Sequence, residues 1–89
     1  MNVQSMLSPK SGNPVANQFV INDDNGNTFF QSYNSIIVKK NFDGIFLDVE
    51  TWNYSRTTAK YRSLFLKENT ATTRKKIKAG LYKLVNLNK

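Results

Sequence analysis

The stretch Asn17-Gln18-Phe19-Val20-Ile21-Asn22-Asp23-Asp24-Asn25-Gly26-Asn27-Thr28-Phe29-Phe30-Gln31-Ser32-Tyr33 decides the architecture. β-Branched and aromatic residues fill its two arms, and the Asp-Asp-Asn-Gly-Asn centre holds the residue types that tolerate positive φ at a hairpin tip. The stretch therefore reads as two strands, over 17–22 and 28–33, folded back on each other. Asn34 and Ser35 interrupt before a strand over 36–40. Asn41-Phe42-Asp43-Gly44 then turns the chain into 45–50, where Ile45, Leu47 and Val49 alternate with Phe46, Asp48 and Glu50. That alternation gives one apolar and one partly wet face, so two successive hairpins are expected.

Upstream, residues 1–14 contain Ser8, Pro9, Ser11, Gly12, Asn13 and Pro14, the punctuation of a loosely ordered N-terminal arm. Residues 15–89 are expected to form a single domain. Downstream the period changes. Ser55 is a suitable N-cap for a helix over 55–68 whose inner arc is Thr58, Tyr61, Leu64 and Phe65. Its outer arc is Arg56, Lys60, Ser63 and Lys67, spaced i, i+4, i+7, i+11. Asn69 or Thr70 can cap a second helix through Ala79, with Gly80 as its stop and a last strand within 81–87. The expected fold class is α+β: an antiparallel sheet of four to five strands, with two helices inserted before the last strand and packed on one face. Residues 17–22 would be an exposed edge strand, able to pair across a two-fold axis in a homodimer but equally blunted by its shortness and polar Asn flanks.

The 89 residues carry 39% hydrophobic side chains, six Phe, four Tyr and one Trp, enough for a modest core. There is no Cys, so disulfides and thiolate metal sites are excluded. No secretory leader or membrane span is recognisable, and a reducing cytoplasm is the expected location. The net charge of +7 is unevenly placed. Residues 1–50 hold three Lys against five carboxylates, whereas 51–89 hold ten cations against Glu68 alone. Such asymmetry favours a polyanionic partner.

Catalysis is not expected. His and Cys, the usual general base and nucleophile, are both absent. Asp48 and Glu50 lie on one side of a strand, but the expectation is two solvent-facing charges. Asp23, Asn25 and Asn27 echo the start of a calcium loop, yet Gly26 falls at the fourth position and no Glu closes the loop. No metal, cofactor or phosphate-loop motif follows. The basic residues Arg56, Lys60, Arg62, Lys67, Arg74, Lys75 and Lys78 are the candidate phosphate contacts, with Tyr33, Trp52 and Tyr54 as candidate stacking rings. Against this stands a structural role: Trp52 and Tyr61 packing helix on sheet, and Arg74, Lys75, Lys76 and Lys78 offsetting a helix dipole.

The segments Ser11-Gly12-Asn13-Pro14-Val15-Ala16-Asn17-Gln18-Phe19, Phe30-Gln31-Ser32-Tyr33 and Trp52-Asn53-Tyr54-Ser55-Arg56-Thr57-Thr58-Ala59-Lys60-Tyr61 resemble a family of small proteins of tailed bacteriophages. The resemblance carries no activity, cofactor or functional residue with it. It implies a setting, the cytoplasm of an infected bacterium, and a short accessory protein. The leading expectation is binding of DNA or RNA through phosphates. The competing one is binding to a host protein, as an inhibitor or modulator of a host enzyme or anti-phage defence complex.

Overall fold

The computed structural model describes all of residues 1–89. The element order is β1 (Asn2–Leu7), β2 (Pro14–Asn22), β3 (Thr28–Ser32), β4 (Ser35–Asn41), β5 (Gly44–Asp48), α1 (Arg56–Leu66), α2 (Thr70–Lys78) and β6 (Tyr82–Val85). One six-stranded sheet runs in sequence order from β1 to β6. The α+β class and the two helices before a last strand are as the sequence predicts. The sheet differs in two ways: it has six strands, and it is mixed, because β6 pairs with β5 in parallel. A two-helix crossover is long enough to return the chain for parallel pairing, which a hairpin is not.

The sixth strand lies in the expected arm. Asn2–Leu7 pair antiparallel with β2, from Asn2 opposite Asn22 to Leu7 opposite Pro14. Beyond the pairing, the turn is closed by Ser8 N–H donating to the Asn13 carbonyl at 2.8 Å, with Gly12 at φ 73°. Asn17, in the left-handed region at φ 65°, interrupts the regular extension of β2, and its carbonyl accepts from Tyr33 N–H at 2.7 Å. Met6 and Val15 from this end of the hairpin pack against the core. Because β1 covers β2, the strand expected at an edge is interior; the edges are β1 and β6.

The hairpin tip behaves as its residues suggest. Asp23 Oδ1 accepts the N–H groups of Asn25 and Asn27, and Oδ2 accepts from Asn27 Nδ2, while Gly26 takes φ 83°. These bonds, led by that of the Asn27 side chain, hold the Asp23 carboxyl below its ordinary pKa.

Strand pairing assigns every side chain to a face. Gln4, Val20, Phe30, Val38, Leu47 and Leu84 form one cross-strand row on the helix side. The pairing of β3 with β4 skips Ile37, since Phe30 faces Val38 while Gln31 faces Ile36. That bulge turns two successive residues inward, so Ile37 and Val38 are both fully buried. The core is Phe30, Ile37, Val38, Leu47, Tyr61 and Tyr82, with Trp52, Phe65, Leu66 and Ile77 packed on it from the helical layer. Phe30 and Phe65 stack at 5.8 Å. Ser32 and Thr58, both buried, join α1 to β3 by a hydroxyl pair at 2.8 Å. No helix is long and apolar enough to cross a membrane.

Candidate nucleic-acid interface

Each helix begins where a polar side chain supplies the missing acceptor. Ser55 accepts from Thr58 N–H at 3.1 Å, and Asn69 accepts from Thr72 N–H at 2.8 Å. Between them α1 ends at Lys67, which sits at φ 59° with Glu68 N–H donating to the Ser63 carbonyl at 3.1 Å. Gly80, at φ 79°, then releases the chain into β6.

The buried arc of α1 is Thr58, Tyr61 and Arg62, flanked by Phe65, while Leu64 is exposed. The helix is thus turned so that Arg62 takes an inner position predicted for Leu64. Arg62 is fully buried and works as a structural cation. Its Nη1 donates to the Trp52 carbonyl at 2.8 Å and to Asn53 Oδ1 at 3.1 Å. Its Nη2 donates to Ser63 Oγ at 3.2 Å and to Thr70 Oγ1. One side chain therefore joins the loop before α1, α1 itself and the first turn of α2. Burial, then the charge of Arg74, push its pKa down, but a guanidinium stays protonated in proteins. Arg62 is accordingly removed from the candidate phosphate contacts.

Trp52 is half-buried, with the guanidinium groups of Arg62 and Arg74 over its ring at 5.3 and 5.5 Å. It is a packing residue carrying cation–π contacts rather than a free stacking platform. Tyr33 and Tyr54, about half exposed at 47% and 51%, are the candidate rings that reach solvent. Tyr33 is held at the β3–β4 turn with φ 55°.

The remaining cations divide over two layers. Arg56, Lys60 and Lys67 are exposed on the outer arc of α1, and Arg74, Lys75 and Lys78 are exposed on α2. Lys60 also lies over the Tyr61 ring at 5.4 Å. Lys39 and Lys83 lie on the opposite side of the sheet. Only two ion pairs form in the whole chain: Met1 N with Asp24 at 3.0 Å, and Lys76 with Glu68 at 2.7 Å. Of thirteen Lys and Arg, Lys76 alone has a carboxylate partner.

Two of the six acidic residues, Glu68 and Asp48, are committed to holding the fold. Glu68 accepts from Thr73 Oγ1 at 2.6 Å, Lys76 Nζ at 2.7 Å and the Tyr82 hydroxyl at 2.8 Å, tying α2 and β6 to the end of α1. Burial alone would raise its pKa; the bonds from Lys76, Thr73 and Tyr82 outweigh it and lower it. Burial and Glu68 push the Tyr82 phenol up. Asp48 is buried, not solvent-facing. It accepts from Thr51 N–H and hydroxyl at 3.0 and 2.7 Å and from Leu87 N–H at 3.0 Å. Burial opposes its ionisation, but those bonds win and its pKa is lowered. Asn88 extends the same clasp, receiving Ile36 N–H at 2.7 Å and donating to the Ile36 carbonyl at 2.9 Å. Asp48 is the last residue of β5 and the exposed Glu50 lies beyond it in the following turn, so the two do not sit side by side on one strand face as the sequence suggests.

The one concavity, about 540 Å³, lies at the α1–α2 corner among Ser63, Leu64, Lys67, Glu68, Asn69 and Thr70. Its lining has one apolar side chain, unlike the mainly apolar walls of small-molecule sites.

Sheet, helical layer and free cations together define a small basic α+β protein with one helix-covered and one open sheet face. The chain belongs to DUF8033, a family of unknown function whose pattern matches residues 1–80, from β1 through the end of α2. No curated protein and no solved structure matches it.

Proposed function

We propose that this chain is a small accessory protein of bacteriophage type that binds nucleic acid in the host cytoplasm, mainly through phosphate contacts. The observation that carries this reading is the set of cations without acidic partners. Arg56, Lys60, Lys67, Arg74, Lys75 and Lys78 all reach solvent from the helical layer, and Glu68, the only carboxylate in residues 51–89, is spent on Lys76, Thr73 and Tyr82. Phosphates would neutralise these charges with counterion release, which gives affinity without sequence preference.

Duplex binding measured against salt tests the reading. If about five phosphates are neutralised, affinity falls roughly 500-fold between about 50 and 200 mM salt. The double variant Lys60→Glu, Lys67→Glu, which alters two exposed side chains, should weaken binding and reduce the salt slope. Binding to duplex and single strand alike absent at about 50 mM salt, or indifferent to salt, refutes the proposal.

A second reading, a modulator of a host protein, draws on the unpaired outer edge of β1, to which an extended segment of a partner can add as another strand. Its signature is a complex of fixed stoichiometry that survives nuclease treatment.

A further inference from the structure

Both helices lie on one side of the sheet, and the other side is left without a covering layer. Its residues are set by the pairing: Val3 opposite Ile21, Ile21 opposite Phe29, Phe29 opposite Lys39, Lys39 opposite Phe46, Phe46 opposite Lys83. A single row thus crosses all six strands and ends in an alternation of ring, cation, ring, cation. The next row adds Phe19 and Ile36, which neighbour Gln31. None of Phe19, Ile21, Phe29, Ile36 and Phe46 belongs to the core, and all are only half-buried, as side chains are when strand neighbours flank them but nothing lies above.

Within the two rows the charge is of one sign. Neither row contains Asp or Glu. Asp48, which falls on the same side at its margin, is buried with both oxygens occupied. Lys39 Nζ rests 5.8 Å from the centre of the Phe46 ring, so the ring already receives a cation on its π-face. Phe29 and Phe46 stand two strands apart, about 10 Å at the usual strand spacing. Flat rings presented by a sheet, interleaved with lysines and with no carboxylate in their rows, match the chemistry of unpaired bases joined by phosphates. A duplex keeps its bases stacked inside and cannot use the rings.

We propose that the uncovered sheet face binds single-stranded nucleic acid, with bases stacked on Phe29 and Phe46 and phosphates held by Lys39 and Lys83. This rests on the nucleic-acid reading above and adds a second face with a different substrate form. On binding, Lys39 gives up its contact with Phe46 for a phosphate, and a base takes its place over the ring.

The test measures fluorescence anisotropy of labelled oligothymidylate, oligouridylate and a duplex, each of about 20 nucleotides, at about 50 mM salt. The two single strands separate DNA from RNA, because only the latter carries a 2′-hydroxyl. In the variant Phe29→Leu, Phe46→Leu, apolar bulk is kept and the rings are removed. Single-strand affinity should fall roughly 100-fold, about tenfold per ring, with duplex affinity unchanged. Lys39→Glu, Lys83→Glu should weaken single-strand binding while leaving the rings in place, and circular dichroism checks that each variant is folded. Folded variants that bind single strands within about twofold of the wild type overturn the inference while leaving duplex binding, and so the broader proposal, intact. No wild-type binding to any of the three probes refutes the broader proposal itself. A wild-type protein that sediments as a dimer, loses that dimer in Phe29→Leu, Phe46→Leu and binds no single strand identifies a second copy as the occupant and also overturns the inference.

Discussion

Replacing Arg62 by lysine keeps the positive charge and removes the guanidinium fork. In the native fold that fork reaches four acceptors: the Trp52 carbonyl, Asn53 Oδ1, Ser63 Oγ and Thr70 Oγ1. Charge-assisted bonds contribute about 1.5–3 kcal/mol each when considered singly, and they do not add. A lysine ammonium, on a shorter reach, can satisfy some of these acceptors but not all. The expected cost of Arg62→Lys is therefore about 3 kcal/mol, against a total stability of roughly 4–13 kcal/mol for a chain of this length. In a thermal melt that lowers Tm by roughly 12–24 °C, and in urea it lowers the midpoint by about 3 M if the slope is about 1 kcal/mol/M. The measurement is a pair of circular-dichroism melts, run beside a duplex-binding titration well below the variant's Tm. If Arg62→Lys melts within about 2 °C of the wild type yet loses duplex affinity, the structural assignment is refuted and Arg62 is a ligand contact after all.

Three further outcomes are expected. Gln18 is fully buried, and neither its side-chain oxygen nor its nitrogen has a hydrogen-bond partner, so Gln18→Met should stabilise the protein by about 1–2 kcal/mol; a lower Tm would contradict this. Asp48 and Glu68 both have lowered folded pKa values, so the unfolded chain takes up protons first as pH falls. Their stabilisation is complete above about pH 5 and is lost as pH drops through the ordinary carboxylate range near about 4 toward the folded values. Glu68→Gln should cost about 1–2 kcal/mol at neutral pH and make the acid limb of a stability–pH curve shallower, and an unchanged acid limb would contradict the role given to Glu68. Ser55→Ala removes the acceptor for Thr58 N–H and should cost about 1 kcal/mol, read as a Tm lower by roughly 4–8 °C; no change in Tm would show that the cap is dispensable.

What could be read from the sequence was whatever is encoded locally. Asp23 to Asn27 announce a turn, Ser55 and Asn69 announce helix starts, and Gly80 announces a stop, because each acts on backbone groups within a few residues. β1 gave no such signal: five of its six side chains are exposed, and its order comes from backbone pairing with β2 and from Met6 reaching the core. The direction of β6 was equally silent, since alternation along a strand is the same whether its neighbour runs parallel or antiparallel. The burial of Arg62 is not legible in the sequence, because helical spacing alone cannot tell which of two adjacent arcs turns inward, and a cation there requires acceptors from three separate segments. Asp48 likewise depends on Thr51 and Leu87, the latter far along the chain. At the site, the outer cations of α1 are legible from spacing and those of α2 from their run in the sequence. The row of Phe29, Lys39, Phe46 and Lys83 is not, because its members come from four strands and only the register sets them side by side.

The parallel pairing of β6 with β5 also orders events in time. As the chain leaves the ribosome, β1 to β5 can associate hairpin by hairpin, each strand finding the one made just before it. β6 has no such neighbour until both helices have been synthesised and folded back, and the Leu87 and Asn88 clasp on Asp48 and Ile36 follows later still. A chain halted after Gly80 would leave the flank of β5 open, its amides and carbonyls ready to recruit another nascent copy, so truncation there would yield intermolecular aggregates instead of a slightly weaker monomer.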